Sequence, residues 1–184
     1  MKMKIYLFIA IGITALLFAC NQNSNDGKGQ SPQNDFVAID NSRKQIGAML
    51  DSFNVAAARA DFNGYFKFFA DEATFIGTDP TEHWDKKNFM LWAKPYFDKR
   101  TTWNFKSMER HIYFSKSGDF AWFDELLNTQ MKICRGSGVA VKQNNDWKIK
   151  QYVLSMTIPN SETRKIIEIK AAIEDSIINK LEGK

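Results

Sequence analysis

Residues 120–131, FAWFDELLNTQM, are the stretch that decides the fold: an aromatic-rich run of strand length that follows the turn residues 117–119. Similar runs occupy residues 103–115, 133–142 and 147–158, and residues 144–146 supply another turn. Short turns between long successive strands predict an antiparallel meander of four strands. Pro159 is expected to end the sheet.

Upstream of these strands the apolar residues recur at helical spacing. The positions of Ile46, Leu50, Phe53 and Ala57 predict a long amphipathic helix from about residue 35 to about residue 59. Helices gathered ahead of an antiparallel sheet indicate an α+β fold. A strongly curved sheet wrapped around this first helix is one way to bury both.

Two shorter helices and one strand are predicted between the long helix and the meander. Asp61 is expected to cap one helix, and Asp85 to cap another over residues 86–97. A short strand at 73–76 and a turn at 77–80 separate them. The side chains expected to point inward are Phe62, Tyr65, Phe66 and Phe69 in the earlier helix, and Phe89, Trp92, Ala93 and Tyr96 in the later one.

A last helix is predicted over residues 161–182. Its apolar stripe consists of Ile166, Ile169, Ile173, Ile177 and Leu181. Such a stripe needs a surface to cover it, which could be this domain's own sheet, a second copy or another partner. Packing on the same domain is the expected arrangement.

The N-terminus has the features of an export signal. Lys2 and Lys4 precede the uncharged run IYLFIAIGITALL at residues 5–17, and Ala19-Cys20 follows it. This pattern resembles a bacterial lipoprotein signal, which implies removal of residues 1–19, lipidation of Cys20 and a place in the cell envelope. A plain secretory signal and an uncleaved anchor are the alternatives. Polar residues complete a predicted flexible tether over 20–34.

The composition fits one domain of moderate charge. The chain has 184 residues and a formal net charge of +4, and two of its lysines lie within residues 1–19. Without that segment the charge is nearly balanced, and no basic run with interleaved aromatic residues is present, which argues against nucleic acid as a partner.

Asp124 and Glu125 are the main candidates for acid or base chemistry. Strand alternation sends one of them to each face of the sheet, so one carboxylate lies inside among large apolar neighbours. A buried carboxylate either takes part in proton transfer or has a cationic partner. The alternative to catalysis is therefore an ion pair with Arg110 or Arg135 on a neighbouring strand, which is the favoured interpretation.

His83 and His111 are the only histidines and could assist such a carboxylate. They are too few for a typical metal site, no metal-binding or nucleotide-binding motif is present, and no cofactor is expected. The aromatic content predicts an apolar small-molecule pocket. Its expected lining residues are Trp84, Trp103, Arg110, Trp122, Arg135 and Gln151.

Several segments together resemble one family. They are residues 75–84, 93–97, 109–111, 121–125, 135–138 and 147–152. Their order and spacing resemble the SnoaL-like branch of the NTF2-like superfamily over about residues 40–160. The resemblance implies a cystatin-like cone in which a curved antiparallel sheet wraps a long N-terminal helix. Here the domain would span 35–160, followed by the C-terminal helix at 161–184.

The superfamily includes polyketide cyclases, ketosteroid isomerases, epoxide hydrolases and non-catalytic binding domains, so the fold alone does not select a reaction. The leading prediction is an exported, lipid-anchored domain that binds a small, largely apolar molecule. One alternative is a metal-free enzyme of the cyclase, isomerase or hydrolase type that uses a strand carboxylate. The other is an interaction module that forms a homodimer.

Overall fold

A computed structural model describes residues 32–183 of the chain. The predicted signal peptide, Cys20 and most of the predicted tether lie outside the described residues. The four α-helices of the described residues are α1 (Pro32–Ala58), α2 (Phe62–Phe66), α3 (Lys86–Asp98) and α4 (Thr163–Leu181), and a 3-10 turn at Asn160–Glu162 precedes α4. The six strands are β1 (Phe69–Ile76), β2 (His83–Asp85), β3 (Lys106–Phe114), β4 (Phe120–Thr129), β5 (Lys132–Gln143) and β6 (Asp146–Met156).

The strands form one mixed sheet in the order β2-β1-β6-β5-β4-β3. The predicted antiparallel meander is confirmed from β3 to β6. The sheet also contains a parallel pair, because β1 lies beside β6, and the short strand β2 pairs with β1. Neither pairing was predicted. No strand was expected at the position of β2, and β1 and β6 are separated in sequence by α3 and four strands. The fold is the expected α+β arrangement of a curved sheet around a long helix.

The long helix α1 supplies the centre of the core. Its predicted inward residues Ile46, Leu50 and Ala57 are inaccessible to solvent, and Phe53 is almost so. Register shifts interrupt β3 between Ser107 and Glu109 and also occur between β5 and β6. Such bulges bend and twist a strand, which helps the sheet to curve over the helix.

The two short helices begin where their caps predict. The Asp61 carboxylate accepts a hydrogen bond from the Gly64 amide at 2.8 Å, and Asp85 accepts one from Asn88 at 2.7 Å. The first of these helices ends earlier than predicted, because Phe69 already belongs to β1.

In α3 the buried face is rotated from the predicted one. Phe89 and Ala93 are buried as expected, but the third buried residue is Phe97. Trp92 and Tyr96 are 37% and 41% exposed, so their predicted burial is wrong. Residues spaced by four lie on one helix stripe, and the stripe through Phe89, Ala93 and Phe97 is the one that meets the core.

The C-terminal helix α4 forms as predicted, but it does not pack into the domain. None of its residues is buried, and Ile169, Ile173 and Leu181 are 74%, 69% and 81% exposed. The expectation that its stripe covers this domain's own sheet is therefore wrong. None of the helices within residues 32–183 combines the length and apolar character that a membrane span requires.

Candidate functional site

A cavity of about 170 Å³ lies between α3, the loop that joins β1 to β2, and the ends of β4 and β6. Its wall is mainly aromatic, and we call it the tryptophan cavity after Trp84, Trp92 and Trp103, which line it together with Phe75 and Phe89. Two open grooves elsewhere, beside α1, are larger at about 550 and 560 Å³. The first groove has Phe68 and Trp147 in its lining and the second has Tyr113, Phe114 and Trp122. The smaller cavity has three tryptophans and three phenylalanines, and it is therefore the better candidate for a small molecule.

The aromatic wall is built from rings that pack on one another. Phe75 and Phe89 stack with their centroids 4.0 Å apart, and Trp84 lies 4.8 Å from Trp92. Trp92 in turn lies 6.3 Å from Trp103. Each of these rings therefore packs against at least one other ring of the wall.

Trp103 also connects the cavity to the core. Its indole N–H donates to the hydroxyl of Tyr65. Burial raises the pKa of Tyr65 well above its ordinary value, and the hydrogen bond from Trp103 only partly offsets this effect. Tyr65 is therefore a neutral hydroxyl at physiological pH that fixes the orientation of one cavity wall.

The loop between β1 and β2 contributes the polar part of the lining. Thr78 and Glu82 come from this loop, and Gln130 comes from the turn after β4. Glu82 Oε2 accepts a hydrogen bond from the Asp79 amide at 3.2 Å, and the Gly77 amide donates to the Glu82 carbonyl at 2.9 Å. A Cβ at Gly77 would overlap the Glu82 carboxylate, so only glycine leaves room for it.

Asp79 has the turn-forming role expected for it rather than a place in the cavity wall. Its carboxylate accepts hydrogen bonds from the Thr81 amide at 2.9 Å and the Thr81 hydroxyl at 2.5 Å. These bonds to Thr81 hold the pKa of Asp79 below its usual value. The loop geometry that positions Glu82 thus depends on a local network formed by residues close in sequence.

The inward carboxylate of β4 is Glu125, which is completely buried. Arg110 on the adjacent strand donates from Nε to Glu125 Oε2 at 2.9 Å, and its Nη2 lies 2.8 Å from the same oxygen. The Tyr152 hydroxyl donates to the other oxygen at 3.1 Å. The ion pair that the sequence suggested as the alternative to catalysis is thus present, and Glu125 is not among the residues that line the tryptophan cavity.

Arg110 extends this network to the long helix. Its guanidinium contacts Asp51 Oδ1 at 2.8 Å and the Gly47 carbonyl at 3.1 Å. Burial alone would lower the pKa of Arg110, but the hydrogen bonds and charges of Asp51 and Glu125 outweigh it and raise the pKa above its ordinary value. We call Glu125, Arg110, Tyr152 and Asp51 the Glu125 network. It joins β3, β4 and β6 to α1.

Tyr152 is the neutral member of the Glu125 network. Burial raises its pKa well above the usual value, and the nearby charge of Glu125 raises it further. A Cβ at Gly136 would overlap the Tyr152 hydroxyl, so glycine on β5 gives this side chain the space to reach Glu125. Two charges and a phenol therefore satisfy one another inside the sheet.

The second strand carboxylate, Asp124, lies on the outer face of the sheet, which is the face turned away from α1. His111 Nδ1 lies 3.3 Å from Asp124 Oδ1, and Arg135 Nη1 lies 3.5 Å from the same oxygen. All three side chains are partly solvent-exposed. The structure therefore brings Asp124, His111 and Arg135 together, but away from Glu125 and outside the lining of the tryptophan cavity.

Three of the predicted site residues, Arg110, His111 and Trp122, line the open groove of about 560 Å³ beside α1. Trp122 is 45% exposed and stacks on Tyr113 on the outer face, with 5.8 Å between the ring centroids. His83 and Gln151 are exposed on β2 and β6. Of the expected pocket residues, only Trp84 and Trp103 line the tryptophan cavity.

Sequence reasoning missed several residues of the cavity. Trp92 was assigned to the helix core and Phe75 to an ordinary strand position, and Glu82 lies just after the predicted turn at 77–80. A signal was present, because the aromatic residues around the turn at 77–80 are unusually dense. Helical and strand spacing predicts on which face of its helix or strand a residue lies. It does not predict whether that residue is buried in the core or lines a cavity.

The comparison with protein families decides the classification. Residues 46–159 match the family model of the SnoaL-like domain. The chain belongs to the SnoaL-like domain family. The match covers α1 from its first fully buried residue to the end of the sheet, and it leaves α4 outside the SnoaL-like domain.

Solved structures show the same fold at low sequence identity. An NTF2-like protein of unknown function from Pseudomonas putida KT2440 has a TM-score of 0.57 and 13% identity, covering 66% of this chain and 90% of that one. A Novosphingobium aromaticivorans protein, provisionally assigned as a scytalone dehydratase, has a TM-score of 0.57 and 12% identity, covering 67% and 89%. A Nostoc punctiforme domain of unknown function with a cystatin-like fold has a TM-score of 0.54 and 16% identity, covering 79% and 98%. No curated protein is significantly similar to this chain.

Proposed function

We propose that this SnoaL-like domain binds a small, largely apolar molecule in the tryptophan cavity. The observation that carries the proposal is the concentration of three indole rings and three phenyl rings around one half-open cavity. Apolar, aromatic-lined cavities with a few polar groups are the usual form of a small-molecule site.

The size of the cavity limits the ligand. Its 170 Å³ corresponds to about six water molecules at roughly 30 Å³ each. Pockets for drug-sized ligands commonly occupy about 300–1,000 Å³. A compact molecule the size of a short branched alcohol or a single small ring fits this volume, whereas a polycyclic one does not.

Binding is better supported than catalysis by the positions of the ionisable groups. Glu125 has both carboxylate oxygens engaged by Arg110 and Tyr152. Asp124 and His111 lie on the outer face, and His83 is exposed on β2. The dehydratase assignment of one structural neighbour keeps an enzyme as the alternative, but a base in the tryptophan cavity would then have to be Glu82.

The binding proposal is tested by calorimetric titration of the full chain with 3,3-dimethylbutan-1-ol, a compact uncharged probe. We expect saturable binding that Met131→Trp abolishes, because Met131 lines the cavity and the larger ring fills it. Met156→Trp is the matched control, since Met156 is 54% exposed outside the cavity. Binding that persists unchanged in Met131→Trp would place the ligand elsewhere and contradict the proposal.

A second candidate function is self-association, and it is favoured by two exposed apolar surfaces. Tyr113, Phe120 and Trp122 form an aromatic patch on the outer face, each between 43% and 46% exposed. The isoleucine stripe of α4 is also uncovered. Contiguous exposed apolar surface of this kind commonly marks a protein interface.

Light scattering coupled to gel filtration separates the two surfaces. We expect a homodimer that dissociates in Trp122→Ser if the outer face forms the contact, or in Ile173→Asp if α4 does. Lys170→Asp changes the charge of α4 without changing the stripe and serves as the control for the second variant. A chain that is monomeric at all tested concentrations would remove this candidate.

Export and lipid anchoring are proposed on the sequence pattern alone. The charged start, the short apolar run and Ala19-Cys20 support cleavage before Cys20 and acylation of its side chain. Metabolic labelling with a fatty acid tests this directly: the intact chain is expected to be labelled and Cys20→Ser is not. Unlabelled wild-type protein would contradict the proposal.

A further inference from the structure

The charge that the described residues place in the lining of the tryptophan cavity is negative only. Glu82 is the single ionisable side chain among the described residues that line it, and no lysine, arginine or histidine of the described chain does so. Thr78 and Gln130 are the neutral polar groups of the wall. The lining therefore disfavours an anionic ligand and has nothing to neutralise one.

The carboxylate of Glu82 is held in place by hydrogen bonds that use only part of its acceptor sites. One carboxylate oxygen accepts a hydrogen bond from the Asp79 amide at 3.2 Å. The Gly77 amide donates to the main-chain carbonyl of Glu82 at 2.9 Å and so fixes the backbone there. Within the described residues, no hydrogen bond reaches the other oxygen. A carboxylate that retains unused acceptor sites beside a cavity can bind a donor or a cation from the ligand.

The aromatic wall favours the same chemistry. Trp84, Trp92 and Trp103 all line the space that Glu82 borders. The π system of indole attracts cations more strongly than that of phenylalanine or tyrosine, and alkylated ammonium ions are the ligands that combine positive charge with an apolar surface. Such an ion is less strongly hydrated than an unsubstituted ammonium, so it loses less hydration on entering an apolar cavity.

We propose that the tryptophan cavity is selective for a small organic cation, an alkylated ammonium with a compact apolar body. The inference rests on the proposed function, because it assumes that the cavity binds a small molecule. It adds that Glu82 determines the charge of that molecule. The aromatic rings then contact its alkyl groups, while the loop carboxylate lies near its positive charge.

Three probes of nearly equal shape test this selectivity. They are choline, its uncharged analogue 3,3-dimethylbutan-1-ol and the anion 3,3-dimethylbutanoate, each titrated calorimetrically into the full chain. We expect choline to bind at least about tenfold more tightly than the alcohol, and the anion to bind more weakly than either. In Glu82→Gln the preference for choline over the alcohol should fall to less than about threefold while the affinity for the alcohol stays the same.

The outcomes separate the two proposals. Equal affinities for choline and the alcohol in the wild-type chain would overturn the charge selectivity and leave small-molecule binding intact. Failure of all three probes to bind would overturn the proposed function itself. Glu168→Gln is the matched control, since it removes the same charge from an exposed position on α4 and should leave choline binding unchanged.

The comparison among wild-type affinities does not depend on any variant, so a folding defect in Glu82→Gln would not leave the inference untested. Glu82→Asp gives a second check because it keeps the charge and shortens the side chain. We expect it to retain a preference for choline over the alcohol. Loss of that preference in Glu82→Asp, with the melting temperature unchanged, would show that charge at this position is not what selects the ligand.

Discussion

Replacing Arg110 with methionine removes the cation that pairs with Glu125 inside the sheet. Glu125 is completely buried and the Arg110 side chain is 14% exposed, so the charge left behind has no access to water. Removal of one partner from a buried ion pair typically costs about 3–5 kcal/mol. For a domain of this size we expect the melting temperature to fall by about 10 °C or more.

The matched control is Arg135→Met. Arg135 contacts the neighbouring carboxylate Asp124 at 3.5 Å, but the two side chains are 51% and 33% exposed. Exposed pairs contribute about 0–1 kcal/mol, so this variant should unfold at nearly the wild-type urea concentration. The two substitutions are chemically identical, and the difference between them measures the effect of burial.

A double variant tests the cause of the loss. In the double variant Arg110→Met/Glu125→Gln the buried negative charge is gone, and the glutamine can still accept a hydrogen bond from the Tyr152 hydroxyl. We expect urea unfolding followed by circular dichroism to show recovery of at least about half of the free energy lost in Arg110→Met. Equal losses in Arg110→Met and Arg135→Met, or a double variant no more stable than Arg110→Met, would refute the reasoning.

Further predictions concern the core. Gly136→Ala should lower the unfolding free energy by about 1–3 kcal/mol in urea titrations, because its Cβ would displace Tyr152 from Glu125; an unchanged midpoint would contradict this. Asn54→Leu should raise the free energy of unfolding by about 1–3 kcal/mol, because both polar atoms of the buried Asn54 side chain lack a hydrogen-bond partner in the structure. A loss of stability in this variant would show that the amide is needed. Tyr65 and Tyr152 keep their protons in the folded state above the pH at which they ionise in the unfolded chain, so stability should fall as pH rises above about 10. In a Tyr96→Phe/Tyr113→Phe variant, which removes the two exposed phenols among the described residues, absorbance titration should show the phenolates of Tyr65 and Tyr152 only as the protein unfolds.

The parts of the fold that were predictable are those set by local patterns. The apolar spacing from Ile46 to Ala57 located the inner face of α1, and Asp85 located the start of α3. Strand alternation correctly placed one carboxylate of β4 inside, and Glu125 with Arg110 forms the pair that neighbouring strands allow. Each of these features depends on residues adjacent in the chain or directly opposite in one sheet.

The features that were not predictable depend on distant segments. Nothing near Phe75 reveals that β1 lies beside β6, and the membership of the cavity follows from that arrangement. Trp92 lies beside the buried stripe of α3, where rotation of the helix by a fraction of a turn decides between core and cavity wall. The stripe of α4 indicated a need for cover but not the identity of the covering surface.

The position of β6 has a consequence for how the polypeptide reaches its native state. Although last in sequence, β6 lies between β1 and β5, so the β1–β2 pair joins the rest of the sheet only through it. A nascent chain that stops before residue 146 therefore exposes two unpaired strand edges, which readily associate with other chains. Contacts across such sequence separations also slow folding. During synthesis, protection against aggregation should thus appear only once β6 has emerged and inserted between its two neighbours.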